Sequence, residues 1–124
     1  MGGIAQLAKA KGFQVTGSDK AIYPPMSTQL EQAGIEVGDD DDCDFLKSEP
    51  DCVVIGNAKS RGHKQVEATL NAHQVYQSGP QWLAENILQD RWVVAVAGTH
   101  GKTSTSSMVA WILEYADLNP GFLI

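Results

Sequence analysis

The chain has few basic side chains: 9 Lys and Arg stand against 15 Asp and Glu, for a formal net charge of −6. That balance excludes the broad cationic surface on which counterion-release binding to nucleic acid depends, so nucleic acid is not an expected partner. Cysteine is nearly absent. Cys43 and Cys52 show no CxxC spacing and no neighbouring histidine pair. This argues against a zinc centre or a disulfide framework and reads as idle thiols in a reducing cytosol. No uninterrupted apolar run approaches the roughly 18 residues of a membrane span, so no membrane partner is expected. The opening MGGIAQLAKAKG lacks the basic start, long apolar stretch and small-residue cleavage site of an export signal, which makes the cytoplasm the expected location. What remains is 124 residues, 43% of them hydrophobic: enough for one ordinary domain with a real core and short of a multidomain enzyme.

Along the chain, helical and strand-like segments alternate. Helical spacing over Ile4–Lys11 ends at Gly12, and the strand-like FQVTG of Phe13–Gly17 follows, stopping at Ser18-Asp19. After the Pro24-Pro25 breaker, STQLEQA (Ser27–Ala33) reads as a helix with Ser27 as its cap and Gly34 at its end, before the apolar Ile35–Val37. Asp39–Asp42 is an acidic run. Four adjacent carboxylates cannot all turn toward one ion from a surface loop, so a solvated loop is expected there. CVVI (Cys52–Ile55) has the continuous apolar pattern of a strand covered on both faces. Lys64–Ala72 and Gln81–Leu88 read as helices, Gln74–Tyr76 as a strand, and Trp92–Ala97 as a last long strand. The alternation predicts an α/β fold: a Rossmann-like parallel sheet with helices on both faces. A boundary near Asp90-Arg91 divides the chain into residues 1–90 and a second nucleotide-type βα unit, 91–124.

Two segments carry nucleotide chemistry. Backbone N–H groups in a glycine turn at a helix start point outward unpaired, at the positive end of the helix dipole, where phosphate is favoured. Gly98-Thr99-His100-Gly101 supplies such a turn, Lys102 suits the outer phosphates, and the Thr103 hydroxyl is placed to ligate magnesium. The pattern GxxxxGK[ST] asks for glycine at position 96, where this chain has Val96. The bland alternative is a helix cap in which Thr99 satisfies backbone donors and Lys102 is solvated. Near the chain start, Gly2-Gly3 opening a helix and Asp19 ending the next strand have the form of the later part of a dinucleotide or sugar-nucleotide fingerprint. They equally suit flexible glycines and a turn-forming Asp. Asn57 and Ala58 follow a strand at its carboxyl end, where open α/β sheets bind ligands, with Arg61 and His63 in the same loop. An anionic ligand and plain solvated surface both fit a loop with Lys59, Arg61 and Lys64.

Taken together, YPPMS (Tyr23–Ser27), IGNAKSRG (Ile55–Gly62), SGPQWL (Ser78–Leu83) and VAVAGTHGKTS (Val94–Ser104) resemble the Mur ligases, in order and spacing, over essentially the whole chain. The family's glycine turn has the form GTxGK[ST], which Gly98–Thr103 fits without a glycine at 96. The resemblance implies an ATP- and Mg2+-dependent ligase of peptidoglycan recycling. Such an enzyme phosphorylates the carboxylate of UDP-N-acetylmuramate, and the amine of a murein tripeptide then attacks the acyl phosphate. It assigns Gly98, Thr99, His100, Gly101, Lys102, Thr103 and Ser104 to ATP, with Lys102 catalytic and Thr103 on the metal. Gly2, Gly3, Ser18, Asp19, Asn57, Ala58 and Arg61 fall to the UDP-sugar. It further implies that residues 1–90 lack the family's first strand, with Met1 an internal methionine, and that 91–124 begin a longer P-loop ATPase domain. The fragment alone is then expected to be inactive. Two other readings remain: the L-alanine-adding branch of the family, and a non-catalytic UDP-sugar-binding module.

Overall fold

The computed structural model describes residues 1–124, which divide into two compact units, Met1–Gln89 and Asp90–Ile124. In the first, helices and strands alternate: α1 (Gly2–Ala10), β1 (Thr16–Ser18), α2 (Met26–Gln32), β2 (Glu36–Gly38), a 3-10 turn (Asp44–Ser48), β3 (Val53–Ile55), α3 (Lys64–Asn71), β4 (Tyr76–Ser78) and α4 (Gly79–Asn86). The strands form two parallel pairs. β1 lies beside β2 with Gly17 opposite Val37, and β3 beside β4 with Val54 opposite Gln77. The strands are parallel, as the alternation predicts, and they form two two-stranded sheets.

Three helices of this unit end in the same way. Gly12 N–H bonds to Lys9 O and Phe13 N–H to Ala8 O; Gly34 and Ile35 do the same toward Glu31 and Leu30, and His73 and Gln74 toward Leu70 and Thr69. This double closure satisfies carbonyls that a helix end leaves orphaned, and it needs a left-handed residue at the turn. Gly12 and Gly34 supply it without strain at φ 96° and 65°, whereas His73 adopts φ 53° with a side chain. The closures also correct the expected strand limits. Phe13, Ile35 and Gln74 donate back into the preceding helix. The ladders consequently start later than the apolar pattern suggests, at Thr16, Glu36 and Tyr76.

Two further expectations fail locally. α2 starts at Met26 with Pro25 before it and no side-chain cap, so Ser27 lies inside the first turn, its N–H on Tyr23 O. Val53–Ile55 is half-buried rather than covered on both faces. At α4 the Ser78 hydroxyl does accept from Gln81 N–H, with Pro80 in the first turn. The core consists of Ala8, Leu30, Ile35, Val66 and Trp82, with the Phe13 ring edge-on to Trp82 at 5.9 Å between centroids.

In Asp90–Ile124 the one regular element is α5 (Lys102–Tyr115). Trp92–Ala97, expected as a strand, pairs with nothing and is exposed except for the half-buried Val96, Trp92 completely. The helix has no buried side chain, and Trp111 stacks on Tyr115 within its own surface. No helix in the chain is long and apolar enough to cross a membrane.

Candidate functional site: strand ends and a glycine turn

In the first unit Ser18 and Asp19 stand at the end of β1, and Asn57, Ala58 and Arg61 follow the end of β3. α1 brings its first turn there through two glycines not singled out in the sequence. A Cβ on Gly56 would stand 3.1 Å from Met1 Cγ, and one on Gly79 would stand 2.9 Å from Ile4 Cδ1. The start of α1, with Gly2 and Gly3, thus packs beside the Gly56-Asn57-Ala58 turn. A Cβ on Gly2 would fall 2.2 Å from Met26 Sδ, so that glycine lets α1 and α2 approach. Ser18, last in β1, donates to Gln65 Oε1 at 2.7 Å, and the Asp19 N–H bonds to Gly38 O. A hollow of about 570 Å³ beside β2 and α2 is lined by Asp19, Ile22, Ser27, Ile35 and Val37; of the expected sugar-nucleotide residues it includes Asp19 alone.

The acidic run does not behave as a solvated loop throughout. Asp39 and Asp41 are exposed, but Asp40 is only 3% exposed. Its Oδ2 accepts from Lys59 Nζ at 2.5 Å and lies 3.3 Å from His63 Nε2, while Lys20 Nζ stands 4.0 Å from Oδ1. The Lys59 ammonium holds the Asp40 carboxyl below its ordinary range, and His63 adds to this against the opposing push of burial. Asp41 is lowered in the same direction by Lys20 at 3.1 Å and Lys64 at 3.3 Å. One ligand atom from each of Asp39, Asp40 and Asp41 comes within 4.8 Å of the others, and Asp42 is not part of this group. Three lysines already balance that charge.

Arg61 is turned away from an open anion-binding role. Its Nε and Nη2 donate to the two oxygens of Glu67 at 2.8 and 3.1 Å, and Gly62 N–H adds a third bond to that carboxylate. Glu67 is lowered by the guanidinium first and the backbone donor second. Of the three cations in this loop, Lys59, Arg61 and Lys64, each has a carboxylate partner.

The glycine turn of the second unit, Gly98–Gly101, leads directly into α5. Gly101 has φ 74°, a left-handed conformation that favours glycine, and α5 begins at Lys102 without a side-chain cap. The first N–H groups of α5 therefore lack intrahelical partners, and Thr99 does not occupy them. Lys102 Nζ lies back over the turn, donating to Gly98 O at 2.8 Å and Thr99 O at 3.4 Å. The exposed Thr103 and Ser104 hydroxyls stand in the first helical turn.

Parallel strand pairs alternating with helices define the class of the first unit, an α/β fold. The chain belongs to the Mur ligase family; the model described as "Mur ligase family, catalytic domain" matches residues 1–91. It is 56% identical over all 124 residues to the Escherichia coli UDP-N-acetylmuramate–L-alanyl-γ-D-glutamyl-meso-2,6-diaminoheptandioate ligase, of which it spans 27%. The crystal structure of the corresponding ligase from Neisseria meningitides overlays 100% of the chain with a TM-score of 0.93 at 58% identity, and the overlay covers 39% of that chain. Similarity to the UDP-N-acetylmuramate–L-alanine ligase of Lactobacillus gasseri is lower, 37% over 113 residues and 26% of its length. The chain thus spans about a quarter of the curated relatives it matches.

Proposed function

We propose that the chain is the sugar-nucleotide-binding and phosphate-binding part of an ATP-dependent ligase. The reaction joins UDP-N-acetylmuramate to the tripeptide L-alanyl-γ-D-glutamyl-meso-diaminopimelate. The observation that carries this reading is the identity, 56% along the whole chain to a ligase named for that reaction, against 37% to an L-alanine ligase. In this reading residues 1–90 hold the UDP-sugar through Gly2, Gly3, Ser18, Asp19, Asn57, Ala58 and Arg61, and residues 91–124 open the ATP-binding domain.

The turn suits the γ-phosphate of ATP and its magnesium ion. It offers unpaired N–H groups, a glycine at the left-handed position, a lysine within reach and a hydroxyl in the first turn. ATP, once bound with magnesium, supplies the phosphoryl group that activates the sugar's lactyl carboxylate. The α5 N–H groups, with Gly98–Gly101, orient the phosphates. Lys102 moves its ammonium from the Gly98 carbonyl to the phosphoryl oxygens, where charge develops in transfer. Thr103 Oγ1 is the residue that would hold magnesium. Arg61 meets the sugar nucleotide only by exchanging Glu67 for it, so its contribution is smaller than that of an unpaired guanidinium.

The test is ATP hydrolysis to ADP coupled to ligation, measured for the polypeptide that carries these residues, with UDP-N-acetylmuramate and either the tripeptide or L-alanine. Turnover with the tripeptide and not with L-alanine is expected. Turnover with L-alanine alone moves the chain to the other branch, and UDP-sugar binding without turnover leaves a non-catalytic module.

A further inference from the structure

We propose that Asp40 is a positioning residue for the sugar-nucleotide site, resting on the reading above: it fastens the loop after β3 to the end of the β1–β2 pair. Asp40 stands two residues beyond the end of β2, and β2 pairs only with β1. Lys59 and His63 leave β3, which belongs to the other parallel pair. No ladder bond joins the two pairs, so side chains must set the distance between their carboxyl ends. The Asp40 carboxylate does this from a buried position, reaching Lys59 at 2.5 Å and His63 at 3.3 Å, with the Lys20 ammonium beside its other oxygen at 4.0 Å. Lys59, which follows Asn57-Ala58, bonds this carboxylate directly, while Lys20, which follows Asp19, pairs with the neighbouring Asp41 at 3.1 Å and stands beside Asp40.

At 3% exposure Asp40 cannot itself meet a ligand in bulk contact, which separates its role from that of the loop residues it holds. A second tie runs in parallel. Gln65 accepts from Ser18 Oγ at 2.7 Å and donates to Asp42 O at 2.5 Å, joining the same two regions through α3. The Gln65 tie and the Lys64–Asp41 pair both lie at the α3 end, and within residues 57–62 the charged anchor to the first pair is Lys59 on Asp40. Loss of the Asp40 charge therefore frees that loop and leaves the helices in place.

The experiment uses the full chain with Asp40→Asn and Asp40→Glu. Backbone amide exchange is followed without ligand, and the Kd for UDP-N-acetylmuramate is measured by calorimetry. In Asp40→Asn, amides of residues 57–62 exchange about tenfold faster while those of α1 and α3 keep their rates, and the Kd rises about tenfold or more. Asp40→Glu keeps the charge and recovers part of both effects; it also serves if the Asn variant fails to fold. A role in stability alone would lower the denaturation midpoint and leave the Kd of the folded protein unchanged, and that result overturns the proposal. Wild-type protein that does not bind UDP-N-acetylmuramate overturns instead the reading on which the proposal rests.

Discussion

The two units treat the same kind of residue differently. In Met1–Gln89 a tryptophan, Trp82, is buried against Phe13; in Asp90–Ile124, Trp92 has its whole surface in solvent and Trp111, stacked on Tyr115, is still exposed. The apolar run Val93–Ala97 is as strand-like as Val53–Ile55, yet only the latter has a neighbour to pair with. Strand propensity describes a fit to a partnered, half-buried surface, and it is not expressed where these 124 residues supply no partner. Helix α5 forms regardless, because its hydrogen bonds are internal.

The comparison predicts unequal costs for the same substitution. Trp82→Ala removes most of the aromatic core of the first unit and is expected to destabilise it by about 3–5 kcal/mol, a large share of a typical domain's roughly 5–15 kcal/mol. Trp92→Ala should stay within about 0.5 kcal/mol, since nothing packs on that ring. Urea titrations of both variants decide it, and equal losses would break the distinction between a packed and an unpacked unit.

Next in size is a functional asymmetry. In the ligase reaction proposed above, Lys102→Ala is expected to lower the rate about a hundredfold or more, because the ammonium acts on charge that develops during transfer. The affinity for UDP-N-acetylmuramate, assigned to the first unit, should be unchanged. ADP release and calorimetric titration read the two quantities separately. A variant that loses sugar-nucleotide affinity while keeping its rate would reverse the assignment.

A third difference is electrostatic. Asp40, Asp41 and Glu67 in the first unit are all held below their ordinary values by cationic partners. A carboxyl group with a folded value below its unfolded one stabilises the fold above the unfolded value, and that contribution is lost as pH falls through the folded value. The unfolded values lie near pH 4, so the first unit should weaken progressively from about pH 4 downward. Asp40→Asn removes one of the three contributions and should flatten that slope. Denaturation midpoints between about pH 2 and 6 measure it, and a slope identical in the variant would show that the Asp40 cluster adds nothing to folding.

Much of the first unit was legible in the sequence because its signals are local. The order of helices and strands follows from apolar spacing and from Gly12 and Gly34, which mark two helix ends by the conformation they permit. The strand limits were displaced because a donor used in a helix closure is invisible in hydrophobic pattern, as at Phe13, Ile35 and Gln74. The division of the strands into two pairs is a property of the assembled chain that apolar spacing alone does not carry. Around the candidate site, Asn57 and Asp19 were proposed from strand ends and turn residues, and Ser18 from the family resemblance. The importance of Asp40 was not, because nothing within four consecutive aspartates marks the one that will be buried. Lys59 and His63, nineteen and twenty-three residues away, share Asp40 as their buried partner, a choice that only the fold makes. Gly56 and Gly79 could have been noticed as glycines flanking strands, where a helix start can approach closely.

The smallest effect sharpens the comparison most directly, because both units contain the same device. α5 ends as α3 does: Asp117 N–H bonds to Glu114 O and Leu118 N–H to Leu113 O, with Asp117 left-handed at φ 57°, just as His73 is at φ 53°. A side chain in that conformation costs about 1–2 kcal/mol, while glycine adopts it freely and loses part of the advantage through its more flexible unfolded chain. His73→Gly should therefore stabilise the first unit by about 0.5–1 kcal/mol, seen as a higher urea midpoint. Asp117→Gly relieves the same strain, but α5 has no buried side chain to couple its end to a cooperative core. Its benefit should appear as a small gain in helicity by circular dichroism with no shift of the first unit's midpoint. If Asp117→Gly raises that midpoint as much as His73→Gly does, the two units unfold as one, and the contrast drawn from their packing fails.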